Sequence, residues 1–315
     1  MSILEENSLY IVDVGASGGI DKRWSDFTSN YYGILFEPDP REFHKLKAGS
    51  AKNLIVINSA LSDKEDTVKF NLCKKQQVSS AYLPNSEFLD KFPNASRFDV
   101  IKDIEIKTDT LSNQLKKNNI DVVDFIKIDV QGYELPILKG GTDYLGDTIG
   151  LEIEVEFSPL YVGQPLFCDV DNFVREKGFE LFDIKRYYWK RSLKASNTTH
   201  QKGQLVFGDA LYFKSPENIM SSNCLNEKKI IRVISIYLAY GYYDLALTLL
   251  DYAKNDQLLT NDQYKVTFKM ISKYKRISII PKFKGQERIS GLLEKIAKNF
   301  SAGWYSGCDK SLGNI

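Results

Sequence analysis

The chain has 315 residues, enough for one large α/β domain with an appendage or for two domains, and its 43% apolar and 26% charged residues describe a folded globular protein rather than a disordered one. A formal net charge of +1 gives no overall pull toward nucleic acid or acidic membranes, so no nucleic-acid partner is expected. Cys73, Cys168, Cys224 and Cys308 lie far apart, without CxxC or Cys/His spacing, which argues against a zinc module and predicts reduced thiols in a cytoplasmic setting.

The opening MSILEENSLYIVDVG lacks the basic region and long apolar core of a signal peptide, and no run of about 18 apolar residues predicts a transmembrane helix. LYIVDV at 9–14 is a continuous β-rich run ending in Gly15-Ala16-Ser17-Gly18-Gly19, the pattern of a buried parallel strand followed by a glycine turn. Residues 20–29 have room for a helix, YYGILF at 31–36 is a second strand, and 40–48 place Phe43 and Leu46 on one helical face. LIVIN at 54–58 completes a strand–helix–strand–helix–strand order, the signature of a doubly wound, Rossmann-like parallel sheet. Residues 67–72 alternate as an extra strand, and 85–103 read as a long loop with short helical pieces, placed to serve as a lid or acceptor wall.

Alternation returns with a helix at 109–118, a buried strand at 122–129, a helix over 134–144 broken at Gly140-Gly141, and a strand at 149–157. A helix over 169–177 stops at Gly178. Strands at 179–184 and 209–213 flank a polar loop near 190–204 and predict an antiparallel edge hairpin. The fold class is therefore α/β: a mostly parallel sheet over residues 1–215 with an antiparallel C-terminal edge, and an α-helical region over 216–315. In the latter, 228–240, 244–254, 265–274 and 291–300 carry helical periodicity. These Lys-rich helices offer a surface for a protein partner or for homo-oligomer formation, against the default of a solvated face.

The Gly15-x-x-Gly18-Gly19 turn lets a ligand approach the backbone, yet it is not the GxGxxG of dinucleotide sites. Glu37, about 20 residues on at the end of the second strand, is placed to accept hydrogen bonds from ribose hydroxyls, which suits any adenosine ligand. Asp13 before the loop and Asp129 at the fourth parallel strand discriminate further. S-adenosylmethionine carries a sulfonium and an ammonium and no phosphate, so its pocket calls for carboxylates. Capping of the loop backbone is the alternative role for Asp13.

Taken together, VDVGASGG at 12–19, FEP at 36–38, SALSD at 59–63, Ser79-Ser80, FIKIDVQGYE at 125–134 and GDAL at 208–211 resemble the FkbM family of methyltransferases, in order, over about residues 10–213. The resemblance implies a class I fold dependent on S-adenosylmethionine and methylation of a hydroxyl oxygen, with glycan or natural-product acceptors. It implies that the loop from Gly15 through Ser17 to Gly18 passes the amino-acid part of the cofactor, Glu37 holds the ribose, Ala60 and Leu61 lie against adenine, and Asp129 and Gln131 face the cleft near the methyl group. Tyr133 is bulkier than the small residue common at that place in the family.

In-line methyl transfer needs alignment, and an aliphatic hydroxyl needs a base or a metal. His44 is expected at the surface. His200, in the loop before the last strand, is one candidate base, and Asp129 and Glu154 are stronger ones. Alternation puts Glu152, Glu154 and Glu156 on one side of their strand and Leu151, Ile153 and Val155 on the other. Three like charges there call for a cation: salt bridges to Lys127 or Arg186, or Mg2+ holding a vicinal diol. Tyr161, Phe167, Tyr187, Tyr188 and Trp189 follow, as core or as a stacking surface for a sugar. The rival readings are a nicotinamide-dependent oxidoreductase and a non-catalytic cofactor-binding or interaction protein.

Overall fold

The computed structural model describes residues 7–191, 203–222, 225–274, 284–299 and 308–314. The strands are β1 (Leu9–Val14), β2 (Tyr31–Phe36), β3 (Leu54–Ile57), β4 (Ala60–Ser62), β5 (Asp66–Cys73), β6 (Val100–Thr110), β7 (Phe125–Ile128), β8 (Gly150–Glu156), β9 (Glu180–Trp189) and β10 (Gln204–Phe213). The helices are α1 (Lys22–Phe27), α2 (Pro40–Gly49), α3 (Ser86–Leu89), α4 (Leu111–Lys117), α5 (Glu134–Gly140), α6 (Thr142–Leu145), α7 (Phe167–Glu176), α8 (Pro216–Met220), α9 (Glu227–Ala239), α10 (Tyr243–Asn255), α11 (Asn261–Ser272) and α12 (Gln286–Asn299).

Seven strands form the main sheet in the order β3-β2-β1-β7-β8-β10-β9. The five from β3 to β8 are mutually parallel, and β10 pairs antiparallel with both β8 and β9. The expected doubly wound sheet with an antiparallel edge hairpin is present. Chain order reverses between β1 and β7, and a ligand crevice is expected outside the carboxyl ends of strands at such a point.

Both faces are covered, which explains why β1, β2 and β7 are apolar on both sides. On one face Val12, Ile34, Ile126 and Ile153 pack with Leu115 of α4, Leu138 of α5 and Val174 of α7. On the other, Leu9, Ile11, Phe125 and Phe213 pack with Trp24 of α1, Ile230, Ile234 and Tyr237 of α9, and Leu249 and Leu250 of α10. Helices α8 to α11 thus share a core with the sheet. Two ties fix α9 there: Arg232 pairs at 3.1 Å with the buried Asp124, and Tyr237 donates to the carbonyl of Lys214.

The region expected as loop over 85–103 needs correction. It contains α3 and a short turn of helix at Ala95–Phe98, but from Val100 it is already β6. β6 pairs antiparallel with β5 and parallel with β4 in a separate three-stranded sheet. The first four residues of β6, Val100 to Asp103, are all solvent-exposed and carry no apolar alternation, which is why they read as loop in the sequence. No helix among the described residues is long and apolar enough to cross a membrane.

Candidate functional site

β1 ends in the glycine turn because its neighbour leaves no room for a side chain. Gly15 has φ +82°, and a Cβ there would stand 2.0 Å from the carbonyl oxygen of Asp129. The loops after β1 and β7 therefore pass in direct contact, and the Asp129 N–H donates to Val14 at 3.0 Å. Ser17 and Gly18 form the exposed tip. Beside the turn is an apolar cavity, lined by Gly15, Phe36, Pro38, Ala60, Leu61 and Tyr133, and closed by Val68, Phe70 and Ile106 from the β5–β6 hairpin. Ala60 and Leu61 are thus placed together with Gly15. Glu37 sits between Phe36 and Pro38 and is buried; its Oε1 accepts from the Asp39 N–H at 2.9 Å, while Oε2 takes no hydrogen bond among the described residues.

A second cavity, about 360 Å³, opens on the other side of the loop after β7. Gln131 and Glu154 stand in its wall, with Tyr187, Trp189 and Phe207 of the edge hairpin and Lys75 and Arg97 of the inserted region. Gln131 links the groups: its Nε2 donates to Asp129 Oδ1 at 3.1 Å and to Glu154 Oε2 at 2.7 Å, and the Tyr161 hydroxyl donates to its Oε1 at 3.2 Å. The predicted Asp129, Gln131 and Glu154 are thus brought together, Gln131 and Glu154 in the wall of the second cavity and Asp129 behind them, lining neither. His44 is exposed on α2, and His200 lies outside the described residues, as does Cys224.

Alternation along β8 holds, but all seven residues of the strand are buried. The expected counter-ions are corrected in part. Lys127 is the register neighbour of Glu152 on β8 and of Asp13 on β1; it is held by both charges, but its salt bridge, at 3.8 Å, goes to Asp13. Arg186 pairs at 2.8 Å with Asp309 at the sheet edge. Glu152 instead meets Arg23 of α1 at 3.6 Å and accepts from the buried Tyr240 hydroxyl at 2.8 Å, while the Arg23 guanidinium lies 3.9 Å above the Tyr240 ring. Glu154 and Glu156 approach Glu134, with oxygens of the three within 4.8 Å of one another. Glu134 Oε1 accepts the backbone N–H of Val130 at 3.0 Å and of Gly132 at 3.1 Å.

Burial dominates the electrostatics. It pushes Glu154 and Glu156 well above the usual carboxylate range, and neighbouring carboxylates add to the rise. Burial also raises Glu134 to about 7 and Asp209, which accepts from the Tyr187 hydroxyl at 3.0 Å, to about 6. Asp13 rises to about 7 by burial, against the pull of Lys127. Lys127 keeps its charge: burial opposes it, but Asp13, Asp129 and Glu152 outweigh that. Asp13 is 2% exposed and its Oδ1 has no hydrogen-bond partner among the described residues, so it keeps acceptor capacity beneath the glycine turn.

The doubly wound sheet thus carries an apolar cavity and an aromatic-walled cavity beside its switch point, where α/β folds bind their ligands. The FkbM methyltransferase domain model matches residues 13–181, more than half of the chain, and the chain belongs to that family. It is 26% identical over 181 residues to the 2-O-methyltransferase NoeI of Sinorhizobium fredii, covering 54% of this chain and 73% of that protein. Two solved structures show a distant likeness at 12% identity. Sp1610 of Streptococcus pneumoniae, a candidate tRNA (m1A22) methyltransferase, gives a TM-score of 0.34 over 93% of this chain and 91% of its own. PH1948 of Pyrococcus horikoshii, a candidate RNA methyltransferase, gives 0.29 over 65% and 72%. Likeness at this level bears on neither fold nor substrate.

Proposed function

We propose that this methyltransferase uses S-adenosylmethionine to methylate a hydroxyl group of a sugar, glycan or related natural product. The observation that carries the reading is the hydrogen-bonded set Asp129–Gln131–Glu154 on the loop after β7, where Val130 lines the apolar slot and Gln131 lines the aromatic-walled space together with Glu154. The residues suit such a cofactor. The apolar slot by Ala60 and Leu61 accepts a purine, Glu37 Oε2 is available to ribose hydroxyls, and Asp13 and Asp129 supply negative charge near the glycine turn. When bound, the cofactor supplies an electrophilic methyl group on a sulfonium.

The protein's part is to position the acceptor and take its proton. Tyr187, Trp189 and Phe207 offer faces for a sugar ring. Glu154 Oε2 is held by Gln131, which leaves Oε1 to receive the hydroxyl proton. Its raised pKa makes it a stronger base, and a cation bound nearby favours its ionised form. This reading assigns no step to Mg2+: Glu134, Glu154 and Glu156 bring oxygens within 4.8 Å of one another, but Glu134 Oε1 and Glu154 Oε2 already accept N–H groups of the loop after β7. A 2-O-methyltransferase among the relatives supports oxygen as the acceptor atom. None of Cys73, Cys168 and Cys308 forms a disulfide, which fits a cytoplasmic setting.

Calorimetric titration with S-adenosylhomocysteine tests the reading. Wild type should bind at micromolar level, and Glu37→Ala should lose roughly 2 kcal/mol, the scale of hydrogen bonds to a charged group. A folded wild type that does not bind would remove the proposal.

A further inference from the structure

The core shared by the sheet and helices α8 to α11 takes in no described side chain of α12. That helix is nonetheless amphipathic. Ile289, Leu292, Leu293 and Ile296 follow the i, i+3, i+4, i+7 spacing that lays them along one face. In the same spacing on α9, Ile230, Val233, Ile234 and Tyr237 are all 0% exposed, whereas the four on α12 are between 46% and 60% exposed. A contiguous apolar stripe held in water on a folded protein marks a surface that something else covers. The charge around the stripe says what. The net charge of +1 hides a local excess, because residues 273–299 hold eight Lys and Arg against only Glu287 and Glu294. Arg288 stands four residues before Leu292 and so lies beside the stripe, and Lys284 immediately precedes the helix; both are exposed. Glu287 falls on the opposite side of the helix from the stripe.

We infer that α12 is a membrane-surface helix that lies flat on an anionic phospholipid bilayer. Ile289, Leu292, Leu293 and Ile296 enter the boundary between headgroups and acyl chains, and Arg288 and Lys284 meet lipid phosphates. An apolar face with basic residues at its edge binds in this way, through buried apolar area together with attraction to anionic lipid. The helix has 14 residues and rests on the bilayer without crossing it. A second copy of the chain fits the face less well. Two such faces would bring their basic edges together, and four aliphatic side chains fall short of the roughly 800 Å² that each partner gives to a stable interface. The inference does not depend on the methyl-donor reading.

Flotation of the full chain with vesicles tests it, comparing phosphatidylcholine alone with an equal mixture of phosphatidylcholine and phosphatidylglycerol. The mixed vesicles should bind at least about tenfold more tightly, and added salt should remove most of that preference. Leu292→Glu combined with Leu293→Glu should abolish binding to the mixed vesicles. Arg288→Gln combined with Lys284→Gln should weaken it by about twentyfold, at roughly fivefold for each basic group lost. All four positions are exposed, so both variants should keep the urea midpoint of wild type, which shows that they are folded. Equal binding to the two kinds of vesicle, no binding to either, or binding that survives both sets of substitutions overturns the inference. So does a wild type that sediments as a dimer and becomes a monomer with Leu292→Glu and Leu293→Glu, which would give the face to a second copy.

Discussion

Replacing Glu134 by alanine and by glutamine separates its role as a hydrogen-bond acceptor from the cost of its charge. Glu134 is 2% exposed, and one of its oxygens accepts two backbone N–H groups of the loop that carries Asp129 and Gln131. Alanine strands both donors. At about 1.5–3 kcal/mol for each bond to a charged acceptor, the loss should be roughly 3–6 kcal/mol. Glutamine keeps an oxygen acceptor and cannot ionise. In the wild type, burial raises the carboxyl from its ordinary 4.5 to about 7, with Asp129 among the contributors. Over that interval the native state holds a proton that the unfolded chain has released, so this group makes stability fall as pH rises from about 4.5 to 7. At ~1.4 kcal/mol for each pH unit, the full effect is at most roughly 3 kcal/mol. Urea unfolding at pH 5 and pH 8 reads both effects. Alanine should be destabilised at both values, whereas glutamine should gain on wild type between them by up to about 3 kcal/mol. Equal losses for glutamine and alanine, unchanged with pH, would refute this account of the loop.

Two further outcomes follow from packing. Gly15→Ala places a Cβ against the Asp129 carbonyl at a positive φ, so it should weaken S-adenosylhomocysteine binding by at least about tenfold in the same titration, the loop being displaced by a clash and by strain. Ile234→Ala on α9 empties part of the core shared with Leu9 and Phe125, so it should cost about 2–5 kcal/mol and shift the urea midpoint of the whole chain in one transition; separate transitions for sheet and helices would contradict the shared core.

Much of this was readable in advance because it is local. The run LYIVDV, the glycine turn and the strand ending in IKID each announce themselves within about ten residues, and that was enough for the doubly wound sheet. What escaped was set by distance along the chain. Lys127 and Arg186 were reasonable counter-ions for the β8 glutamates, and Lys127 does lie in register between Glu152 and Asp13, though its salt bridge goes to Asp13; Asp309, 123 residues away, takes Arg186. Glu152 is satisfied by Arg23 and Tyr240, which meet only because α9 returns to the face that α1 covers. Glu134 stood in the recognised motif, but nothing local shows that its carboxyl turns back onto its own loop. Arg97 was hidden in a stretch whose polar composition reads as surface.

The backbone at Gln131 shows why that loop is worth holding. Gln131 has φ +61° without being glycine, and Gly132 follows at +93°. A non-glycine residue in this region carries a cost of order 1–3 kcal/mol and persists only where its surroundings over-determine it. Here they do. Glu134 takes the N–H groups on either side, the Ser80 hydroxyl donates to the Gln131 carbonyl at 2.7 Å, and Tyr161 reaches its side chain. Glycine at position 131 would relieve the strain, so stability alone does not account for the glutamine. What glycine would lose is the amide that joins Asp129, on the glycine-turn side, to Glu154 in the wider cavity. The strain is therefore best understood as the cost of keeping one side chain in contact with both halves of the site, so that the group aligning the donor side and the group receiving a proton are held by a single amide.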